Sequence, residues 1–541
     1  MNLTERISNI FPLQENVPER FRQSRIEQTE YLVDGKIHSW DGPGIEVVSP
    51  VRIAAADGGA SPCTIGSFPS MTAQQAMEAL HAAVKAYDAG RGPWPTMGVE
   101  KRIEHLLNFA RAMKEKREEV VQLLMWEIGK NLPDSEKEFD RTVDYIIDTV
   151  EALKEMDRDG SRFFREQGVT AQIRRAPLGV TLCMGPYNYP LNETFATLVP
   201  ALIMGNTVVF KPAKHGVLLL RPLLEAFAGA FPPGVVNTVY GEGAAVIGPV
   251  MESGLVDCLA FIGSSHVADL LKQSHPKPHR LRCVLGLGAK NPAVILPGAD
   301  LDLAVAECVT GAFSFNGQRC TAIKIIFVHE SVAERFVDGF ARAVEGLKFG
   351  MPWEDGVKVT PLPVPDKPAM LAKWVEEAKK AGSAVVNEMG GRVNGSYFHP
   401  AVVYPAVKGT ALYSREQFGP VAPIAVYKDI SKPIRYIEHS AYGQQAALFG
   451  SDPKTMASLI DPLVNQVCRV NINSQCQRGP DAFPFTGRKG SAEGTLSVSD
   501  ALRVFSIRTM VAGKDTEMNQ EIFSNIVRGR HSSFLNTDYL F

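Results

Sequence analysis

The sequence predicts an α/β protein with at least two domains. From about residue 170 to 300, short β-rich runs such as LGVTLCM, NTVVFKP and CLAFIGS alternate with helical patterns such as GVLLLRPLLEAFAGAF. That alternation is typical of βαβ units around a parallel sheet. A second alternating region runs from Asp300 to about residue 350. Because the chain has 541 residues, too many for one hydrophobic core, two or more domains are expected.

The other elements follow from hydrophobic period and from breaker residues. Apolar residues recur at helical spacing over 71–90, over 98–130 as one or two helices, and over 134–154. Asp300 is predicted to cap the helix that follows it. Residues 357–368 hold four prolines and are predicted to form a loop.

The two ends of the chain carry weaker patterns. Residues 1–30 are polar without a clear period and are interpreted as an N-terminal extension. The last thirty residues form a mixed tail, whose Phe534, Tyr539 and Phe541 are open to two interpretations, packing on a neighbouring subunit or a frayed terminus.

Composition excludes several classes of function. A net charge of −2 and a pI near 6.6 give no field that attracts nucleic acid or anionic membrane. The longest apolar run, 196–210, is shorter than a span of about 20 residues and is interrupted by Pro200 and Gly205. The polar N-terminus shows no secretory signal. The eight cysteines lack close pairing or Cys-x-x-Cys spacing, which argues against disulfides and a metal site. We expect a reduced, cytoplasmic protein.

Two short segments carry candidate catalytic groups. Cys320 follows Asn-Gly-Gln-Arg, and Arg319 beside it favours a thiolate, although a lone cysteine is also among the most buried residue types. In CMGPYNYPLN, Asn188 and Tyr189 lie between two prolines. This segment is either a rigid loop or a support that aims an amide at an oxyanion.

Two further segments suit a nucleotide. Lys211 and Lys214 end a predicted strand in NTVVFKPAKHG. In FIGSSHVADLL, Gly263 and Ser264 form a turn between a strand and a helix, where backbone N–H groups suit a pyrophosphate. The turn lacks a full G-x-G-x-x-G, so this signal is weak, and each segment in isolation is more often plain architecture.

Taken in order, these segments resemble the aldehyde dehydrogenase superfamily from about residue 31 to 512. The motifs that carry the resemblance are GPYNYP, PALIMGNTVVFKPA, FPPGVVNTVYGEG, FIGSS, NGQRCTA and REQFGPVAP. The resemblance implies a Rossmann-type coenzyme domain (31–156 and 177–288), an α/β catalytic domain (289–490) and a small β oligomerisation flap (157–176 and 499–512). It also implies a tail at 513–541 and a homo-oligomer, tetramer or dimer.

The resemblance also assigns roles to residues. Cys320 matches the nucleophile that forms a thiohemiacetal and then a thioester, and Asn188 matches the side-chain half of the oxyanion site. The positions that match coenzyme contacts are Lys211, Gly243, Gly263, Ser264, Glu416 and Phe418. Lys214 stands where NAD-preferring members commonly carry a glutamate. This favours NADP over NAD, unless Lys214 is only a solvated side chain.

Within the superfamily the chain looks most like the non-phosphorylating, NADP-dependent glyceraldehyde-3-phosphate dehydrogenase branch. That resemblance implies a substrate-phosphate site made of Arg141, Tyr189, Arg319 and Arg478, because arginine forks suit a phosphate dianion. Each arginine also has an ordinary interpretation. Arg141 would be a solvent-facing charge, Arg319 a group that tunes the cysteine, and Arg478 a loop cap.

One departure concerns deacylation. Gly286 in VLGLGAKNP stands where hydrolytic members carry the glutamate that activates water. Three accounts stay open: another carboxylate replaces it, with Glu493 as a weak candidate; the thioester passes to another nucleophile, as in coenzyme-A-acylating members; or deacylation is slow. The alternatives to glyceraldehyde 3-phosphate oxidation are therefore a CoA-acylating or broad-specificity aldehyde dehydrogenase and, less favoured, a structural or binding protein.

Overall fold

The computed structural model describes residues 2–55 and 59–538, and within them two large sheets dominate. The first sheet has six strands and is parallel except at its last pair, where Leu285 pairs with Glu493 and Gly286 with Ala492. Its strands, in spatial order, are Val236–Thr238, Thr207–Lys211, Val180–Met184, Cys258–Ile262, Arg282–Gly286 and Ala492–Glu493.

The second sheet has seven strands and is parallel except for the short edge strand that opens the list. In spatial order they are Ala384–Val385, Ala401–Tyr404, Val421–Tyr427, Ile323–His329, Asn291–Ile295, Gln445–Phe449 and Arg469–Ile472. The central strands are apolar and buried on both faces, as parallel strands covered by helices must be. The predicted α/β organisation is confirmed.

Smaller sheets surround these two. Ser506–Lys514, Val169–Pro177 and Phe163–Glu166 form one antiparallel sheet, which joins the two predicted flap segments. The other small groups are Ile26–Glu27 with Ala60–Pro69 and Gly44–Ala54, Glu30–Val33 with Lys36–Ser39, Val393–Asn394 with Tyr397–Phe398, and Tyr442–Gly443 with Arg488–Lys489.

Helices lie around and between the sheets. The α-helices are Leu3–Ser8, Ala73–Tyr87, Val99–Lys114, Arg117–Ile128, Leu132–Gly160, Asn192–Ile203, Leu224–Ala230, Gly243–Glu252, Ser265–Ser274, Leu301–Phe313, Ala333–Glu345, Lys367–Lys380, Ala411–Ser414, Ser431–His439, Pro453–Leu463, Val498–Val504 and Glu517–Arg528. Short 3-10 turns cover Gln14–Asn16, Glu19–Phe21, Asp88–Gly90, Leu218–Leu223, Ser314–Gly317 and Glu330–Val332. Asp300 is a cap, as predicted: its carboxylate accepts hydrogen bonds from the N–H groups of Asp302 and Leu303.

Both ends of the chain are more ordered than their patterns indicate. Ile7, Phe11 and Phe21 are buried in the large core cluster, so the described N-terminal segment packs against the body of the protein. In the tail, the carbonyl of Phe534 accepts a hydrogen bond from Arg174. Tyr539 and Phe541 lie outside the described residues.

Candidate active site

The predicted nucleophile, Cys320, follows a turn with unusual backbone geometry. Phe315, Asn316 and Gly317 all have positive φ, at 48°, 58° and 68°. A left-handed conformation costs a non-glycine residue about 1–2 kcal/mol, so the surrounding structure must impose it. The Asn316 side chain helps, because its amide donates to Thr360 Oγ1 at 3.0 Å and its carbonyl accepts from the Thr360 N–H at 2.9 Å.

The groups around Cys320 shift the pKa of its thiol in opposite directions. Burial raises the pKa of the thiol, and the negative charge of Glu193 raises it further. The positive charges of Lys324 and Arg478 and a hydrogen bond with Gln444 lower it. The thiol is thus favoured at rest, and the flanking cations are the groups that stabilise the thiolate.

Asn188 and the backbone of Cys320 can provide two oxyanion donors. The Asn188 amide is buried and donates one hydrogen bond, to the Gln318 carbonyl at 2.7 Å. A primary amide has two N–H donors, so one stays available. In the part of the chain that the structure describes, nothing accepts a hydrogen bond from the Cys320 N–H.

A buried ion pair holds the Asn188 loop. The Lys130 ammonium contacts the Glu138 carboxylate, and both side chains are 0% exposed. Lys130 also donates to the Asn188 carbonyl at 2.9 Å and lies 3.6 Å from the centroid of the Tyr189 ring. The pair therefore fixes both the oxyanion amide and a predicted phosphate ligand.

One cavity of about 340 Å³ unites the predicted substrate groups with the predicted catalytic ones. The predicted residues that line it are Cys320, Asn188, Arg141, Tyr189, Arg319 and Arg478. They come from the long helix Leu132–Gly160, the loop before Asn192–Ile203, the nucleophile turn and the loop after Arg469–Ile472. The structure thus brings distant parts of the sequence to a single concave site.

Carboxylates compensate two of the three arginines. Arg478 is buried and forms ion pairs with Glu193 and, at 3.2 Å, with Asp481. Arg141 grips the same Asp481 in a fork, with distances of 2.8 Å and 2.7 Å. An anion that binds either arginine therefore competes with a carboxylate already present.

Arg319 is different. Its Nη2 donates to the carbonyls of Gly311 at 3.0 Å and Thr310 at 3.3 Å, and its buried Nε has no hydrogen-bond acceptor. Within residues 2–55 and 59–538 it has no carboxylate partner. Of the three arginines, Arg319 can accept an anion without displacing another charge.

The predicted coenzyme lysines lie after the strand Thr207–Lys211. Burial lowers the pKa of Lys211 to about 8, and its ammonium donates to the neighbouring Pro212 carbonyl at 3.1 Å. Lys214 is exposed and ion-paired with Glu242 at 3.2 Å. A partly buried ammonium with only a carbonyl partner fits a ribose or phosphate oxygen of a nucleotide.

The other predicted coenzyme positions lie at helix starts and beside the nucleophile. Gly243 begins the helix Gly243–Glu252, and Ser264 is the N-cap of Ser265–Ser274, with Gly263 directly before it. Glu416 is ion-paired with Lys324 at 2.9 Å.

Lys324 joins the coenzyme side to the nucleophile. Besides Glu416, its ammonium contacts the carbonyl of Cys320, to which it donates at 2.8 Å. It also lies 5.8 Å from the centroid of the Phe418 ring. A single buried lysine therefore links two predicted coenzyme contacts to the backbone of the predicted nucleophile.

The strand next to Gly286 does not supply the missing carboxylate. Glu493 lies on the adjacent strand, but its carboxylate is 50% exposed and ion-paired with Lys272 at 2.7 Å. The carboxylates that line the Cys320 cavity are instead Asp134, Glu138 and Glu193.

The site groups that sequence reasoning missed include Lys130, Glu138, Glu193, Lys324 and Asp481. Glu193 had a detectable signal, because it is a lone acid in the helix Asn192–Ile203, in which every residue is buried. A buried carboxylate is rare unless it is paired or functional.

The described residues contain neither a membrane-spanning helix nor a cluster of metal-ligating side chains. No helix there combines the length and the apolar character of a membrane span. No group of three or more histidine, cysteine, aspartate or glutamate side chains there is arranged to hold a metal ion.

Comparison with known proteins identifies the family of the chain. A family model described as the aldehyde dehydrogenase family matches residues 59–511. The chain is similar to the NADP-dependent glyceraldehyde-3-phosphate dehydrogenase of Streptococcus equinus, with 32% identity over 457 residues that cover 84% of this chain and 92% of that protein. The enzyme of the same description from Triticum aestivum is 29% identical, over 82% of this chain and 88% of its own length.

Solved structures give the same result. The NADP-dependent glyceraldehyde-3-phosphate dehydrogenase of Bacillus halodurans, complexed with NADP, superposes with a TM-score of 0.82 at 30% identity, over 91% of this chain and 100% of that one. The glyceraldehyde-3-phosphate dehydrogenase of Methanocaldococcus jannaschii, also complexed with NADP, gives 0.78 at 26% identity, over 88% and 100%.

Proposed function

The chain belongs to the aldehyde dehydrogenase family, as its motifs predicted, and we propose that it oxidises glyceraldehyde 3-phosphate to the acid with reduction of NADP. One observation carries the proposal. Arg141, Tyr189, Arg319 and Arg478 line the same cavity of about 340 Å³ as Cys320. A small aldehyde that bears a phosphate matches a reactive thiol surrounded by guanidinium groups.

The chemistry follows from the residues around Cys320. Its thiolate attacks the aldehyde carbonyl carbon, and a C–S bond forms. The oxyanion that develops is stabilised by the Asn188 amide and the Cys320 N–H, and one such donor typically contributes about 3–4 kcal/mol. Loss of hydride from this thiohemiacetal leaves a thioester on Cys320. Bound NADP supplies the hydride acceptor.

NADP is supported from two directions. Relatives at 32% and 29% identity are described as NADP-dependent, and two similar structures were solved with NADP. In this chain, Lys211 and Lys214 provide two ammonium groups after the strand that ends at Lys211. Glu242 opposes them, because it neutralises Lys214 and would repel a 2′-phosphate. The preference for NADP over NAD therefore depends on whether Lys214 leaves Glu242 to contact the 2′-phosphate.

Arg319 provides the sharpest test of the phosphate site. Replacing Arg478 leaves Glu193 buried without its partner and leaves Asp481 with Arg141 alone, so folding and binding would change together. Arg319→Gln removes a charge that has no carboxylate partner in the described structure. We expect KM for glyceraldehyde 3-phosphate to rise by about 10- to 100-fold, because a hydrogen bond to a charged group contributes about 1.5–3 kcal/mol.

Unphosphorylated glyceraldehyde is the matched control in this experiment. Its KM should change by less than about twofold, because it has no phosphate for Arg319 to bind. If both substrates lose affinity equally, Arg319 tunes Cys320 and the phosphate site is refuted.

The second candidate function is acyl transfer to coenzyme A, and Gly286 favours it because the family glutamate is missing there. Adding coenzyme A to the assay decides between the two. A turnover that does not respond to coenzyme A supports hydrolysis, whereas strong acceleration supports acyl transfer.

We also propose the division into domains that the sequence predicts. Five strands of the six-stranded sheet lie in the coenzyme part (31–156 and 177–288), with Ala492–Glu493 added at the edge, and the seven-stranded sheet lies in the catalytic part (289–490). The antiparallel sheet of Phe163–Glu166, Val169–Pro177 and Ser506–Lys514 overlaps the proposed flap (157–176 and 499–512). It leaves Phe164, Ile507 and Met510 exposed, which supports its role as the contact between subunits. Sedimentation equilibrium tests the dimer or tetramer, and a monomer at micromolar concentration would refute it.

A further inference from the structure

Hydrolysis of a thioester on Cys320 needs a group that takes a proton from the attacking water. Gly286 has no side chain to offer, and Glu493 is bound to Lys272 at the exposed sheet edge. The carboxylates of the described residues that line the Cys320 cavity are Asp134, Glu138 and Glu193. The contacts of these three carboxylates differ.

Glu138 is fully engaged in holding the loop. One of its oxygens contacts Lys130, and the other accepts the N–H groups of Leu191 and Asn192, both at 3.1 Å. Protonating this carboxylate would leave a buried ammonium without its counter-ion. Glu138 is therefore a poor proton acceptor.

Asp134 lies in the first turn of the helix Leu132–Gly160. Its negative charge acts on Lys130 and Tyr189. The charge that acts on the Cys320 thiol itself comes from Glu193. Of the three carboxylates, Glu193 is thus electrostatically coupled to the nucleophile.

Glu193 is also correctly placed and incompletely bound. It follows Asn188 by five residues, and both line the cavity from the same loop-to-helix segment. Its side chain is buried, and Oε2 contacts Arg478. In the described part of the chain, Oε1 has no hydrogen-bond partner. One oxygen is therefore held while the other is free to accept a proton.

We propose that Glu193 is the general base of deacylation and replaces the carboxylate missing at Gly286. The proposal rests on the proposed function, since it requires an acyl group on Cys320. Glu193 takes a proton from water while the water oxygen bonds to the thioester carbon. The tetrahedral intermediate then expels the Cys320 thiolate, the acid leaves, and Glu193 returns its proton to solvent.

Arg478 connects this base to the substrate. A phosphate that binds Arg478 competes with Glu193 for the same guanidinium. Substrate binding thus loosens the ion pair at the stage where the carboxylate is needed. Before substrate binds, Glu193 competes with phosphate for Arg478; once phosphate is bound, the Glu193 carboxylate is released to act as a base.

An activated ester tests the proposal independently of aldehyde and coenzyme. 4-Nitrophenyl acetate acetylates a reactive thiolate and releases 4-nitrophenolate, so the burst reports acylation of Cys320 and the steady rate reports hydrolysis. The full chain is compared with Glu193→Gln, which keeps the size of the side chain, and with Glu193→Asp, which keeps the charge. Glu493→Gln is the matched control, and intact-mass measurement detects the acetyl group.

We expect Glu193→Gln to keep a full burst, to accumulate acetyl-enzyme and to hydrolyse it about 100-fold or more slowly. Glu193→Asp should be intermediate, and Glu493→Gln should match the unchanged chain. If both Glu193 variants hydrolyse the acetyl-enzyme at the normal rate, or if burst and hydrolysis fall together, the proposal is overturned. Failure to oxidise glyceraldehyde 3-phosphate would refute the proposed substrate but leave this ester result standing.

Discussion

The charged groups on the proposed substrate side of Cys320 are buried in ion pairs, whereas those on the proposed coenzyme side include an exposed pair. On the substrate side, the Lys130–Glu138 pair is 0% exposed, and Arg478 is enclosed with Glu193 and Asp481. A buried ion needs its partner, so these contacts fix the shape of the cavity.

On the coenzyme side, Lys214 and Glu242 are 59% and 60% exposed. An exposed pair contributes little and exchanges partners easily. The fold therefore fixes the charges of the proposed substrate site, whereas the charges at the proposed coenzyme site can rearrange at the surface.

Breaking the buried pair should have the largest effect. Lys130→Met leaves the Glu138 carboxylate buried without its cation and removes a donor from the Asn188 carbonyl. We expect the free energy of unfolding to fall by about 3–5 kcal/mol, as measured by urea unfolding.

Lys154→Met is the matched control, because Lys154 forms an exposed pair with Glu151 on the helix that follows Lys130. Its effect should stay within about 0.5 kcal/mol. Equal losses in the two variants would show that the Lys130 pair has no special structural role.

The pH dependence of coenzyme binding should be the next largest effect. Burial lowers the pKa of Lys211 to about 8, so the ammonium is charged at pH 7 and largely neutral at pH 9. We expect the Kd of NADP to rise by about tenfold between these values, as one charge-assisted hydrogen bond is lost.

Isothermal titration calorimetry at both pH values measures this change. Lys211→Arg is the control, because a guanidinium stays charged throughout the range and should remove most of the pH dependence. An unchanged Kd in the original chain would contradict a coenzyme role for the Lys211 charge.

The smallest effect should come from the exposed pair. Glu242→Gln frees Lys214 and removes a negative charge from the proposed 2′-phosphate position. We expect the ratio of kcat/KM for NADP to that for NAD to rise by about two- to fivefold, in keeping with the weakness of surface pairs. A preference for NAD in the original chain that Glu242→Gln leaves unchanged would show that Lys214 is only a solvated side chain.

Local elements were predictable because their causes are local. Asp300 caps its helix with its own side chain, and the short β-rich runs between 170 and 300 form buried parallel strands. The meeting of Arg141, Arg319 and Arg478 had no local cause, and the sequence supplied it only by resemblance. Their carboxylate partners were invisible for the same reason.

Hydrophobic period, helix caps and turn residues act over a few positions. The α/β alternation, the order of the motifs and the residue types that carry the chemistry could therefore be recognised in the sequence. Which of those residues share a cavity, and which opposite charges pair with them, depends on contacts in the folded chain. Cys320, Glu193 and Arg478 meet because packed sheets and helices bring three separate segments together. The effect of a buried charge depends on its neighbours in space, so the proposed replacement for the glutamate missing at Gly286 became visible only in the folded chain.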